Sequence, residues 1–107
     1  MKTYAVIWTL PAIAALRDIY NFIKSDSVEG AKNVATELVA LGNSLTHLPS
    51  RNPVEKLLTD EPIVYRSAVK WNYKIIYTIE KDEVMVVDIF DTRRDPRRLK
   101  YEFQDPK

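Results

Sequence analysis

The first quarter of the chain changes from a strand-like to a helix-like pattern of hydrophobic positions. Residues 3–8 are rich in β-branched and aromatic side chains and predict a first strand. Apolar residues then recur every three or four positions, which predicts an amphipathic helix that runs to about Lys24. Thr9 offers the hydroxyl of an N-cap residue, and Pro11 suits the first helical turn, where its missing amide hydrogen is not needed.

A second helix is predicted after a short polar break. Asp26 or Ser27 can serve as its N-cap, and its apolar positions repeat over about six turns as far as Leu48, where the following proline ends the helix. The short break indicates that the two helices form an antiparallel hairpin. Gly42 lies inside the second helix and costs about 1 kcal/mol relative to alanine. It therefore indicates either a close packing contact or a bend.

Three further strands are predicted in the second half of the chain, over residues 63–69, 73–80 and 84–91. Short polar breaks at Lys70–Asn72 and Lys81–Asp82 favour antiparallel hairpins. One face of this sheet is expected to pack against the helical hairpin and the other to stay partly open. The predicted fold is α+β, in the order β-α-α-β-β-β, with the helical hairpin packed on a small, mainly antiparallel sheet. We expect residues 1–107 to form a single domain.

Composition excludes several classes of function. The chain has no cysteine, one histidine (His47) and two glycines. Disulfides, thiolate metal sites and cysteine nucleophiles are thereby excluded, as is a glycine-rich phosphate loop. Neither a metal site nor a cofactor is predicted, and His47 is expected only to contact carbonyl groups at the end of the second helix. No segment is long and apolar enough to span a membrane, and no signal peptide is recognisable, so a cytoplasmic location is expected.

Positive charge is concentrated near the C-terminus. The net charge of the whole chain is +1, but residues 91–100 carry five basic and two acidic side chains. A basic segment directly after a strand indicates a fixed surface that meets phosphate or carboxylate groups. Arg97 and Arg98 belong to this segment, and Tyr101, the residue directly after it, is expected in a short helix that begins at Pro96.

Four cationic residues are candidates for chemistry on a phosphate. Arg66, Lys74, Arg93 and Arg94 lie on neighbouring strands or just beyond them, and we expect them to converge on the open face of the sheet. Cleavage of RNA by its own 2′-hydroxyl needs cations around the phosphorane, which arginines can supply. The alternative is that each is a surface residue that covers apolar neighbours or pairs with a nearby aspartate such as Asp91.

The chain resembles the RelE/ParE superfamily of toxins from type II toxin–antitoxin modules, including its plasmid-stabilisation branch. The resemblance covers nearly the whole chain, and no element of it is unique by itself. It is carried by Tyr4–Thr9, Leu48-Pro49, Tyr65-Arg66, Tyr73–Tyr77, Val84–Ile89 and Asp91–Pro96 with Leu99. It implies the same compact α+β fold and an antitoxin whose C-terminal helix or strand wraps the toxin.

Two targets are known within this superfamily, and the resemblance leaves both open. RelE-like members enter the ribosomal A site and cut messenger RNA; there Arg66, Lys74 and Arg93 would be the catalytic residues. ParE-like members inhibit DNA gyrase and need no nuclease site. Arg94, Arg97, Arg98 and Tyr101 are expected to form a docking surface, either for an acidic antitoxin or for the toxin's target. Asp91 brings negative charge to a phosphate site, and the arginine-rich turn resembles the ParE branch. We therefore expect gyrase inhibition, with messenger RNA cleavage, or a binding module without toxicity, as the alternatives.

Overall fold

The computed structural model describes residues 2–93 together with Arg97 and Leu99. The predicted α+β class and the order of elements are confirmed. None of the helices in this described part is both long and apolar enough to cross a membrane. The elements are β1 (Ala5–Trp8), α1 (Leu10–Lys24), α2 (Val28–Asn43), β2 (Arg66–Lys70), β3 (Tyr73–Glu80) and β4 (Glu83–Asp91).

The four strands form one mixed sheet in the order β1-β4-β3-β2. Both hairpins are antiparallel, whereas β1 runs parallel to β4. The short strand β1 ends at Trp8, which pairs with Val86. Over the described residues, the stretch Val87–Asp91 of β4 therefore has no strand beside it on the β1 side. An unpaired edge of this kind can accept an added strand.

Side-chain caps fix the starts of both helices, as the sequence predicts. The Thr9 side chain accepts a hydrogen bond from the Ala12 amide at 3.4 Å, and Ser27 accepts one from Gly30 at 2.9 Å. Each cap satisfies an amide that has no partner within its helix. The helices pack on one face of the sheet around a buried core that includes Tyr77, Ile75 and Leu38.

The second helix is shorter than predicted. It ends at Asn43 and continues as a single 3₁₀ turn, Ser44–Thr46, so the predicted extension to Leu48 is wrong. Side-chain hydrogen bonds explain the early end: the Ser44 hydroxyl bonds to the Leu41 carbonyl, and the Asn43 amide oxygen accepts from the Trp8 indole. Polar side chains of these types compete with continued helix.

Gly42 allows a close packing contact, which is one of the two possibilities, contact or bend, that the sequence indicated. A Cβ atom at this position would lie 2.3 Å from Cζ2 of Trp8, a distance that no real contact reaches. The indole of Trp8 therefore packs against bare helix backbone. This contact joins the edge strand β1 to the end of α2.

The strand pattern departs from the prediction in two places. In β4 one residue is extra: Ile76 pairs with Asp88 and Tyr77 with Val86, so Val87 opposes no residue of β3. This β-bulge brings Ile89 to the same face as Val86, although strict alternation places them on opposite faces. The second predicted strand begins only at Arg66, because the Val64 carbonyl accepts the Thr78 hydroxyl instead of joining the ladder.

The second face of the sheet is partly covered. Ile76 and Phe90 pack there against Leu58 of the connecting segment and against Leu99. This smaller cluster covers part of the face that was expected to stay partly open, while Val54 pairs with Arg66 at the outer edge of β2.

Candidate functional site

Arg66 fixes the segment that follows α2. Its Nη1 atom donates to the carbonyl oxygens of Asn52, at 2.6 Å, and Ser50, at 3.3 Å. The buried hydroxyl of Tyr77 donates to the Pro49 carbonyl in the same segment and accepts from the Asn52 amide at 3.2 Å. Burial raises the pKa of Tyr77, so this hydroxyl keeps its proton. Arg66 therefore serves here as an anchor for backbone carbonyls.

Lys74 forms an ion pair with a buried carboxylate. Its ammonium lies 2.9 Å from Oε1 of Glu55, whose side chain is only 2 % exposed, while Oε2 accepts the Leu57 amide at 2.9 Å. Burial alone would raise the pKa of Glu55. The hydrogen bonds from Leu57, Lys74 and Ser67 outweigh burial and lower it below the usual range. The carboxylate is therefore ionised, and it neutralises the charge of Lys74.

Arg66 and Lys74 lie on opposite faces of the sheet. Arg66 pairs across the strands with Tyr77, which faces the helices, whereas Lys74 pairs with Phe90 on the other face. Because side chains alternate along a strand, a separation of this kind cannot be removed by rotamer changes. The prediction that the cationic residues converge on one open face is therefore wrong for this pair.

Arg93 is held by the last residue of β4. Its Nε atom donates to Oδ1 of Asp91 at 3.1 Å and its Nη2 to Oδ2 at 2.9 Å, a bidentate pair. Asn72 donates to the same carboxylate at 3.0 Å. Chiefly because of the Arg93 side chain, the pKa of Asp91 is lowered to about 2. The charge of Arg93 is thus balanced at neutral pH.

The predicted docking residues fall mostly beyond the described residues. Arg94, Arg98 and Tyr101 lie outside them, whereas Arg97 is described and its side chain is exposed. The docking role of these four residues stays a prediction. Leu99, two residues after Arg97, is buried against the second face of the sheet.

A groove of about 620 Å³ runs between α1 and the unpaired half of β4. Its floor is apolar, and three carboxylates stand along it: Asp18 on the helix, and Asp88 and Asp91 on the strand. No basic side chain is among its described lining residues. The lining residues are Thr9, Pro11, Ala14, Ala15, Asp18, Ile19, Val87, Asp88, Ile89, Phe90 and Asp91.

Sequence reasoning missed both this groove and the role of Glu55. The short length of β1 beside the long β4 was the available signal for an open strand edge. Glu55 lies in a proline-rich loop, where a carboxylate gives no sign that it will be buried beside a strand lysine.

Two solved structures show the same fold in distant relatives. The chain is similar to the chromosomal ParDE toxin–antitoxin system of P. aeruginosa, with a TM-score of 0.68 and 17% identity over 83% of this chain and 96% of that one. It is also similar to the RelBE2 toxin–antitoxin complex of Mycobacterium tuberculosis, with a TM-score of 0.62 and 19% identity over 85% of this chain and 93% of that one. At such identities the likeness concerns the fold alone.

A family-level comparison is more specific than these structures. A search of curated proteins found no match. The model of the family described as "ParE toxin of type II toxin-antitoxin system, parDE" matches residues 6–96. The chain therefore belongs to the ParE toxin family of type II toxin–antitoxin systems.

Proposed function

We propose that this protein is a growth-inhibiting toxin that inhibits DNA gyrase and is neutralised by a cognate antitoxin. We choose this target because of the contacts made by the three cationic side chains that a messenger RNA nuclease would use. Arg66 binds backbone carbonyls, Lys74 pairs with Glu55, and Arg93 pairs with Asp91. Catalysis of phosphoryl transfer needs cations aimed at one developing charge.

The charge balance of these residues also argues against a phosphate site. Two of the three cations have a carboxylate within 3 Å, and the Glu55 carboxylate is buried. A phosphate that approached Lys74 or Arg93 would meet this negative charge as well. Gyrase inhibition by contact requires no such catalytic centre, and the ParE family match favours it over ribosome-dependent cleavage.

The groove between α1 and β4 is our proposed binding site for the antitoxin. The unpaired edge Val87–Asp91 provides backbone groups for an added strand, and the apolar floor provides a place for its side chains. Because Asp18, Asp88 and Asp91 line the groove, the bound segment is expected to combine apolar with basic side chains. An arginine or lysine of the antitoxin would then meet Asp18, which has no ion pair among the described residues.

Expression in cells with two parallel readouts tests this proposal. We expect induction of the toxin to stop growth and to shift a reporter plasmid towards the relaxed state, and co-expression of the antitoxin to prevent both. Primer extension on translated messages from the same culture should show no new cuts. Cuts in the ribosomal A site with unchanged plasmid topology would establish the nuclease alternative instead.

A further inference from the structure

Trp71 adopts a backbone conformation that is unusual for an aromatic residue. It is the first of the two residues that link β2 to β3, and its φ angle is 54°. A two-residue hairpin normally places glycine, asparagine or aspartate at such a position, since a bulky side chain in the left-handed region is strained. The Trp71 side chain does not compensate by packing in the core, because the residue is 53 % exposed.

The tip of this hairpin is nevertheless held firmly. The amide and the hydroxyl of Thr92 both donate to the Asn72 carbonyl, at 2.7 and 2.9 Å, and the Asn72 side chain donates to Asp91 at 3.0 Å. The Lys70 ammonium lies 5.0 Å from the centre of the indole. The exposed ring is therefore presented in a preorganised position, which lowers the entropy that a partner must remove on binding.

The surroundings of Trp71 fit a protein partner better than a nucleic acid. Val69 is 60 % exposed beside it, and the Arg93 side chain, held at the same end of the sheet, is 64 % exposed. Trp and Arg are the residue types that dominate binding hot spots. The nearby cations already have carboxylate partners, Lys70 with Glu37 at 3.4 Å and Arg93 with Asp91 at 2.9 Å. Among the described residues around Trp71, these pairs offset the positive charge that a phosphate would need.

We propose that Trp71 anchors the toxin to gyrase, with its indole inserted in an apolar pocket of that enzyme. This inference rests on the proposed function and adds the surface through which it acts. The antitoxin groove lies on the β1 side of β4, whereas the β2–β3 hairpin lies on the opposite side of that strand. Toxin–target contact and antitoxin binding therefore use different surfaces, which meet at Asp91.

A pair of glycine substitutions separates binding from folding. Trp71→Gly removes the indole and relieves the backbone strain, so the protein is expected to keep or raise its melting temperature. Lys81→Gly is the matched control, since Lys81 has a φ of 57° in the exposed two-residue loop between β3 and β4. For a hot-spot residue we expect Trp71→Gly to raise the toxin concentration for half-inhibition of gyrase supercoiling at least about tenfold. Lys81→Gly should leave the toxin concentration for half-inhibition unchanged.

The possible outcomes distinguish this inference from the proposed function. A wild-type toxin that leaves gyrase active would overturn the proposed function and this inference together. A wild-type toxin that inhibits gyrase, with Trp71→Gly equally potent, would overturn this inference alone. So would a Trp71→Gly protein that loses its complex with the antitoxin but still inhibits gyrase. Quenching of the tryptophan fluorescence by relaxed plasmid DNA without gyrase, seen in wild type but not in Trp71→Gly, would contradict the protein contact and point to nucleic acid.

Discussion

The ammonium of Lys74 lies 2.9 Å from the carboxylate of Glu55, and this ion pair connects β3 to the proline-rich segment that pairs with the edge of β2 at Val54. The same carboxylate accepts the Leu57 amide and holds a single 3₁₀ turn, Lys56–Leu58. Leu58 of that turn is buried against Ile76 and Phe90. The lysine that resembles a catalytic residue therefore supports the fold.

Replacement of Lys74 should lower the stability of the folded protein, whatever the target of the toxin is. Lys74→Ala leaves the Glu55 carboxylate buried without its cation. We expect a loss of about 2–3 kcal/mol in the free energy of unfolding, less than for a fully buried pair because Lys74 is itself 24 % exposed. Urea denaturation measures the change. Lys32→Ala, on the exposed surface of α2, is the control and should leave the free energy of unfolding unchanged. A Lys74→Ala protein as stable as wild type would contradict the structural role of the Lys74–Glu55 pair.

Gly42→Ala should destabilise the protein although alanine favours helix. The gain in helix propensity is at most about 1 kcal/mol, whereas the added methyl group meets the Trp8 ring at 2.3 Å and forces the indole to move. Because overpacking costs about 1–3 kcal/mol, we expect a net loss of about 1–2 kcal/mol and a shift of Trp8 fluorescence.

Gly30→Ala is the comparison for this substitution. The atoms nearest to its added methyl group would be in the Ser27 and Ile23 side chains, at 3.2 Å or more, so we expect no comparable loss of stability. Equal effects at the two glycines would show that the Trp8 contact is not what constrains Gly42.

Acid should destabilise the protein below about pH 4, partly through Asp91. The folded-state pKa of Asp91 is about 2, against an ordinary value of 3.8, so its contribution is complete above the ordinary value and is lost as the pH falls towards 2. The lowered pKa of Glu55 acts in the same direction. Melting temperatures measured from pH 7 to pH 2 should fall less steeply at the acid end for Asp91→Asn than for wild type.

Asp26→Asn is the control for the acid series, since Asp26 is an exposed aspartate in the loop between the helices. It should keep the acid dependence of the wild-type protein. If Asp91→Asn also followed the wild-type curve, the Asp91–Arg93 pair would not contribute to acid sensitivity.

Arg66→Ala should loosen the segment after α2 without loss of gyrase inhibition. Two carbonyls lose a charged donor, so we expect a stability loss of about 1–2 kcal/mol and faster amide exchange in residues 48–54. The nuclease alternative requires instead that this variant lose its activity. Arg17→Ala, which replaces an exposed arginine of α1, controls for the removal of one positive charge. If Arg66→Ala folded but lost gyrase inhibition while Arg17→Ala kept it, the purely structural role of Arg66 would be contradicted.

Local signals in the sequence predicted the starts of the helices and the hairpin strands well. Thr9 marked the start of α1, Ser27 was one of the two candidates for the N-cap of α2, and the hairpin strands followed from alternation and polar breaks. The β-bulge at Val87 was not predictable, because apolar residues occupy both faces of β4 there and the pattern fits either register.

The site was less predictable because it depends on contacts between distant residues. The positions of Arg66 and Lys74 on strands were predicted, but Glu55 lies 19 residues before Lys74 and no periodicity links them. Likewise, the left-handed conformation of Trp71 is set by the geometry of a two-residue hairpin, against the preference of the residue itself.

The most direct test of the central claim is a supercoiling assay with purified gyrase, relaxed plasmid, ATP and increasing amounts of purified toxin. We predict that supercoiling falls with toxin concentration and that addition of the antitoxin before gyrase restores it. Supercoiling that stays complete at a large excess of folded toxin would contradict gyrase as the target.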